Sequence, residues 1–446
     1  MQRGQFSSSL TFVLAAAGSA VGLGNIWGFP TKAAENGGAA FLLMYLILAF
    51  LLAYPALMAE LIIGRHTRSN MVGALTSIAS GRCAKQVGRL TGFAGMATAS
   101  LILSFYSIVA GWMLGSMLEP ITELLGLASL GHWLTEFGTA RNIGLSAIFM
   151  LLTALVIRAG VEQGIEKWSR RLMPSLLLLL VSLIFYVLTQ DGAIDGLRHY
   201  LVADFSQMTN PDLIVSALGQ AFFSMSLGVG TMLIYGSYIR ADENLPLVGT
   251  LVTLADTGIA FLAGLLVLPA MFVAQNLGVA IYAESGSLIA GPDLIFQVLP
   301  TLFSNMGATG LGVGFAFFVL MSIAALTSSI SMLEVPVSYA VESLNMRRSR
   351  ATLWASSVIF GVSAAICMTF ESTFGWVVSI ATEWAQPLLS MLLCLFAGWV
   401  LYRNSLLEEL KQGNPEVEHG LFWKIWPLYV KVICPLLIVV TIAQGL

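Results

Sequence analysis

Six oxygen-bearing side chains stand in stretches that are otherwise apolar: Asn25, Ser224, Ser226, Asp256, Thr327 and Ser328. Amide, hydroxyl and carboxylate oxygens suit a hard cation such as sodium. Asp256 lies within TLADTGIAFLAGLLVLPA, and an acid in a membrane segment is costly enough to mark a functional position. Thr327 and Ser328 sit in AALTSSI, where bonding to a cation competes with bonding to their own helix. The first three sit beside glycine clusters. Asn25 follows Gly18, Gly22 and Gly24 in AAAGSAVGLGNIWGFP, and Ser224 and Ser226 precede Gly228 and Gly230 in FSMSLGVG. Glycine weakens a helix by about 1 kcal/mol relative to alanine, so both stretches read as breaks. Broken backbone survives in a membrane only against protein or a water-filled cavity. There it frees carbonyls for a cation and half-helix amino ends for a carboxylate.

Other chemistries find no support. There is no phosphate-binding loop, metal-ligand cluster or nucleophile constellation, so an enzyme is not expected. The histidines fall in loops or at segment ends, which argues against a proton relay inside the membrane. The four cysteines form no CxxC and read as small buried hydrophobes.

The elements that must position these groups are membrane helices. Of 446 residues 57% are hydrophobic and 10% charged, with a mean hydropathy of +0.85. A soluble domain carries about 25% charged residues, so the chain is an all-α polytopic membrane protein. Its net charge of −3 implies no nucleic-acid partner. No cleavable signal peptide is visible. Eleven spans are expected, near 10–33, 39–64, 88–118, 142–158, 166–189, 212–239, 246–273, 310–341, 351–370, 374–402 and 425–445. The stretch 281–303 is amphipathic and reads as a re-entrant or surface helical hairpin. With the amino terminus in the cytoplasm, inner segments collect 17 of the 21 basic residues, and outer loops hold only Arg141 and Arg198. The carboxyl terminus then ends outside. The breaks open spans one and six, five helices apart, which points to an inverted repeat with 10–189 as one copy and 212–402 as the other. Residues 425–445 form an extra helix, and 1–446 a single transporter domain.

NIWGFP with AENGG in the first motif, the SMSLGVG break and the LTSS run together resemble the neurotransmitter:sodium symporter family, in its bacterial amino-acid branch with the LeuT fold. The resemblance spans nearly the whole chain. It implies a sodium-coupled amino-acid symporter of a bacterial inner membrane, whose partners are the amino acid, sodium and the bilayer. It also implies two sodium sites. The first takes the Ala20 carbonyl, Asn25, Ser224, Asp256 and the substrate carboxylate; the family often has threonine and asparagine at the last two protein positions. An added acid there resembles chloride-independent members. The second takes carbonyls of Gly18, Val21 and Ala324 with hydroxyls of Thr327 and Ser328.

For the substrate, the resemblance implies that the amides of Leu23 and Gly24, with the Tyr106 hydroxyl, hold a carboxylate. Carbonyls of Ala20, Phe223 and Ser224, with the Ser226 hydroxyl, hold an amine. Ile102, Tyr106, Phe223, Val229, Ser328 and Met332 line the side-chain pocket. On their own, Tyr106 and Phe223 read as packing aromatics. Gly22 stands where monoamine carriers have aspartate, so the substrate is expected to bring its own carboxylate. Val229 and Met332 suggest a medium or large apolar amino acid. Gly164 and Pro174 resemble the glycine-x9-proline signature of helix-five unwinding.

At the inner face Arg3, Phe6, Tyr238 and Glu342 match the family's gate, with Arg3 paired to Glu342. The outer gate departs from the pattern: Gly28 replaces an arginine and Ser379 an aspartate. Lys32 and Glu383, each about one turn away, are the expected replacement pair, with snorkelling of Lys32 as the alternative. Glu60 is expected near Arg65, Glu334 either guides an ion or bonds a neighbouring helix, and Gln220 bonds within the binding region. Alternatives are a proton-coupled carrier in which Asp256 titrates, a carrier of a β-amino or sulfonated acid, and a channel or sensor on the same scaffold. The sequence does not name the amino acid, the ion stoichiometry or the oligomeric state.

Overall fold

Leucine-, isoleucine- and alanine-rich runs without charge satisfy their backbone in lipid only as helices. The computed structural model describes residues 5–202, 205–282, 288 and 294–444. The chain begins with α1 (Ser9–Ala20) and α2 (Gly24–Glu35), bent by 53° at the residues between them. Four long helices follow: α3 (Ala39–Thr67), α4 (Arg82–Leu124), α5 (Thr139–Arg158) and α6 (Val161–Leu188). Next come α7 (Pro211–Ser224) and α8 (Thr231–Gly236), parted by Met225 to Gly230. The chain continues through α9 (Leu245–Asn276), α10 (Ala308–Glu342), α11 (Arg348–Met368), α12 (Phe370–Val400), the short α13 (Arg403–Lys411) and α14 (Leu421–Val440).

Among the described residues, nine helices are each long and apolar enough to cross a bilayer, and the bent pair α1–α2 makes a tenth. The sixth expected span corresponds to α7 and α8, neither long enough to cross alone. One expectation needs correction. Among the described residues of 281–303 there is no helical hairpin: Leu294–Asn305 is helical, Tyr282 and Leu288 form an isolated antiparallel bridge, and 283–287 and 289–293 lie outside the described residues.

The core is built around α4, which packs against α5 and α10. Small residues bring broken and intact helices together. A Cβ at Gly64 of α3 would overlap the Leu233 carbonyl of α8, and one at Gly236 of α8 would stand 2.7 Å from the Leu61 carbonyl of α3. The backbones therefore touch at both positions.

The carboxyl-terminal end of α3 is tied to α13 by charge. Arg65, fully buried, donates Nε to Glu409 Oε1 at 2.6 Å, Nη1 to the Glu243 carbonyl at 2.6 Å and Nη2 to the Glu409 carbonyl. His66 Nδ1 lies 3.3 Å from Glu409 Oε2. Arg65 thus pairs with Glu409 and not with Glu60. Burial opposes ionisation of Glu409, yet hydrogen bonding to His66 and the charge and hydrogen bond of Arg65 outweigh it and hold the carboxyl below its usual value. A depressed carboxyl contributes stability above its unfolded pKa, about 4.3, and loses it as pH falls through the folded value. Glu409→Gln leaves Arg65 buried without its ion, so about 3–5 kcal/mol of stability is expected to be lost at pH 7. Thermal unfolding of the purified protein checks this: the deficit should shrink below about pH 4. An equal melting temperature at pH 7 contradicts the assignment.

Candidate ion and substrate site

The two breaks have local causes. α1 stops because Val21 turns to extended backbone (φ −72°, ψ 101°). Gly22 must lack a side chain, since a Cβ would overlap Ser328 Oγ and approach Tyr106 Oη to 2.6 Å. In the second break Ser226, Gly228 and Gly230 all adopt left-handed backbone, at φ 52°, 82° and 80°. For Ser226 this costs about 1–2 kcal/mol, strain of the kind stored at functional sites. Glu60 of α3 braces this segment: its carboxylate accepts the Gly228 N–H at 2.7 Å and the Leu233 N–H at 3.2 Å. The freed amides near the start of α8 need an acceptor, and a carboxylate at a helix amino end is the strongest available.

The breaks meet at Asp256 of α9, which is fully buried. Asn25 Nδ2 donates to Asp256 Oδ1 at 2.7 Å and to its carbonyl at 3.0 Å. Ser224 Oγ stands 2.9 and 2.8 Å from the two carboxylate oxygens. Tyr45 Oη of α3 donates to Oδ2 at 3.2 Å and lies 3.3 Å from Ser224 Oγ. Asn25 Oδ1 in turn accepts the Gly22 N–H at 3.1 Å. One carboxylate thus joins α2, α3, α7 and α9. Sequence reasoning missed Tyr45, whose only signal is a hydroxyl in an apolar run.

A second oxygen cluster lies where α10 faces the first break. Ser328 Oγ is 3.4 Å from the Gly18 carbonyl, 3.1 Å from that of Ser19 and 3.3 Å from that of Val21. Thr327 Oγ1 bonds the Ala324 carbonyl at 3.0 Å, the local competition expected for its type. A Cβ at Gly18 would touch Thr327 Cβ at 3.4 Å, so both hydroxyl residues face the break. Beside it, the Leu23 N–H donates to Tyr106 Oη at 3.1 Å. Ser226 Oγ donates to the Ser19 carbonyl at 3.3 Å, bridging the two breaks. Ala20, Ile102, Val229 and Met332 are buried, and the Phe223 ring lies 3.3 Å from where a Gly24 Cβ would stand.

Above Phe223 a cavity of about 590 Å³ opens, lined by Trp27, Gly28, Gln220, Phe223, Phe374 and Glu383 among others. Gln220 Nε2 donates to the Gly24 carbonyl at 2.6 Å, and its Oε1 lies 3.2 Å from a Cβ position at Gly28. The expected Lys32–Glu383 gate is not formed. Lys32 Nζ pairs with Glu35 Oε2 at 3.0 Å on its own helix, and Glu383 Oε2 accepts Ser379 Oγ at 2.5 Å. Each charge has a neighbour three or four residues away, closer to hand than the other side of the vestibule.

At the opposite end Phe6 is buried against Phe12, Tyr235 and Tyr238, and its N–H bonds the Tyr238 carbonyl at 3.1 Å. Tyr238 Oη donates to Glu334 Oε1 at 2.7 Å, and Arg348 Nη2 meets Glu334 Oε2 at 2.5 Å. Glu334 therefore bonds its neighbours, and Arg348 is the charge that sequence reasoning passed over among loop arginines. Glu342 accepts the Asn70 N–H at 2.7 Å and its Nδ2 at 3.0 Å. Arg3, expected as its partner, lies outside the described residues. Gly164 sits in a wide π turn, Val161–Glu166, and Pro174 lies inside a continuous α6; the expected unwinding is absent from this conformation. Glu166 in that turn accepts the Ser7 N–H at 3.0 Å and the Ser7 hydroxyl.

Two membrane helices broken side by side around a buried carboxylate and a second oxygen cluster define a secondary carrier of the LeuT fold. The sequence matches the profile of the sodium:neurotransmitter symporter family over residues 3–140 and 126–446, and the chain belongs to that family. It is 33% identical over 451 residues, 98% of this chain and 96% of the other, to YhdH of Bacillus subtilis, described as an uncharacterised sodium-dependent transporter. The crystal structure of MhsT in complex with L-phenylalanine superposes with a TM-score of 0.85 at 35% identity, covering 100% of both chains. A sodium-dependent neutral amino acid transporter of Bos taurus, B(0)AT2, is 28% identical over 325 residues, 64% of this chain and 43% of the relative. The protein is therefore a sodium-dependent membrane transporter and not an enzyme.

Gly22 gives a direct test of the site. Gly22→Ala drives a methyl into Ser328 and Tyr106, and overpacking of this size costs about 1–3 kcal/mol. Sodium-dependent substrate affinity should fall about a hundredfold, equivalent to ~2.7 kcal/mol, while size-exclusion behaviour stays unchanged. Wild-type affinity in this variant contradicts the geometry.

Proposed function

We propose that the protein couples the inward movement of sodium to the import of an amino acid by alternating access. The observation that carries this reading is the meeting of both breaks at Asp256, which supports one junction for the ion and the substrate. In this reading the Ala20 carbonyl, Asn25, Ser224 and Asp256 take one sodium ion. Carbonyls of Gly18, Val21 and Ala324, with Thr327 and Ser328, take a second. The Leu23 and Gly24 amides and Tyr106 hold the substrate carboxylate, and the Ser226 side holds its ammonium.

Phenylalanine bound to MhsT and the name of the bovine relative support an amino acid as cargo. Ile102, Phe223, Val229 and Met332 enclose a side chain that is apolar and medium to large. Gly22 supplies no counter-charge for a bare amine, so the cargo brings its own carboxylate. The vestibule above Phe223 faces outward and the Phe6 end faces the cytoplasm, in keeping with the excess of arginine and lysine in the loops at that end. The segments 10–189 and 212–402 are the two halves that move against each other.

A thermal-shift or scintillation-proximity screen of the twenty amino acids, with sodium or with choline, tests the function. Stabilisation by apolar amino acids in sodium alone is expected; no sodium-dependent binding of any α-amino acid contradicts it. Asp256 also supplies the negative charge beside the ion, so wild-type uptake should run without chloride. Asp256→Asn should abolish uptake in sodium gluconate and recover part of it in sodium chloride. Undiminished uptake in gluconate contradicts that role of the carboxylate.

A further inference from the structure

Helix α12 reaches the second break through one side chain. Gln386, 1% exposed, donates Nε2 to the Leu227 carbonyl at 3.1 Å. The two backbones also touch: a Cβ at Gly228 would overlap the Gln386 carbonyl and stand 3.0 Å from the Ser390 nitrogen. A π turn, Ile380–Ala385, immediately precedes Gln386 and sets the direction in which this face of α12 points. π turns are rare and concentrate at functional sites.

The amide is only half satisfied. Among the described residues, Gln386 Oε1 and Ser390 Oγ one turn later are buried without a hydrogen-bond partner. A buried acceptor without a donor lowers stability, and an apolar side chain of the same shape would not carry that penalty. Stability therefore does not account for glutamine here, but the bond to Leu227 does. Leu227 lies three residues past Ser224 in a segment where three residues hold left-handed backbone, so its carbonyl needs an outside donor to fix its direction.

We propose that Gln386 is a positioning residue for the substrate site. It holds the Leu227 carbonyl and so fixes the course of 225–230, the segment that presents the Ser226 hydroxyl and follows the Phe223 and Ser224 carbonyls. The same helix supplies Ser379, Thr382, Glu383 and Pro387 to the vestibule wall, so a shift of that wall and a shift of the break are one movement. The functional part of this inference rests on the proposed amino-acid site; the structural part does not.

Gln386→Met keeps the length and removes the donor, and Ser390→Ala removes the other orphan without touching Leu227. For Gln386→Met, substrate affinity should fall about tenfold, ~1.4 kcal/mol, with a melting temperature near wild type, because loss of the orphaned Oε1 offsets the Leu227 carbonyl left without its donor. Stabilisation by sodium alone should persist, because the proposed α1–α10 cluster contains no residue of the second break. Ser390→Ala should match wild-type affinity. Hydrogen exchange of the 225–230 amides, measured without substrate, should quicken about tenfold in Gln386→Met. Unchanged exchange there overturns the proposal whatever the cargo is. Unchanged affinity, or a loss that tracks a lower melting temperature, overturns the positioning role. Absence of amino-acid binding by the wild type would instead count against the proposed function alone.

Discussion

The structure depends on the Asp256 carboxylate. A buried ion is tolerated only when its lone pairs are met by donors. Here Asn25, Ser224 and Tyr45 meet them, and each comes from a different helix. The requirement to solvate one charge therefore fixes the relative places of the first break, the second break and α3. A cation entering this junction would compete with the same donors for the same oxygens. Cation binding there and the relative position of the two breaks would then be one equilibrium.

A comparable logic operates on the backbone. Unwinding two membrane helices releases amides and carbonyls that lipid cannot satisfy. The chain answers with side chains from neighbouring helices: Glu60 for the Gly228 and Leu233 amides, Gln386 for the Leu227 carbonyl, Gln220 for the Gly24 carbonyl, Tyr106 for the Leu23 amide. Each bond crosses between a broken helix and a neighbour. The breaks are thus held open by the scaffold and released only when those neighbours move. At the amino-terminal end, Glu334 with Arg348 and Tyr238, and Glu166 with Ser7, close the bundle through the same kind of charge-assisted contact. The vestibule above Phe223 has no such bridge between Lys32 and Glu383, so the two ends are closed to different degrees.

Much of this was legible in the sequence because it is encoded locally. The helices follow from uninterrupted apolar runs, and the breaks from closely spaced glycines next to Asn25 and Ser224. Asp256, Thr327 and Ser328 stood out because polar oxygens in lipid are rare. What escaped was partnership across the sequence. Glu60 sits five residues before Arg65 and looked like its mate, but that spacing does not align their side chains, and Arg65 turns to Glu409, 344 residues away. Arg348 was hidden among loop arginines, Tyr45 among packing aromatics, and Gln386 in a helix with no break. The Lys32–Glu383 pair is not formed in this conformation for a local reason: each charge has a nearer neighbour, Glu35 for Lys32 and Ser379 for Glu383.

Shared oxygens make a thermodynamic demand. If sodium and the amino acid meet at one junction, each must change the affinity of the other by the same factor. Equilibrium binding on purified protein measures both directions: sodium titrated with and without a saturating apolar amino acid, and the amino acid titrated across sodium concentrations. Equal factors of about tenfold or more, equivalent to ~1.4 kcal/mol of coupling or more, are expected, and both should collapse in Asp256→Asn when chloride is absent. A sodium affinity that the amino acid leaves unchanged would contradict the account at its centre.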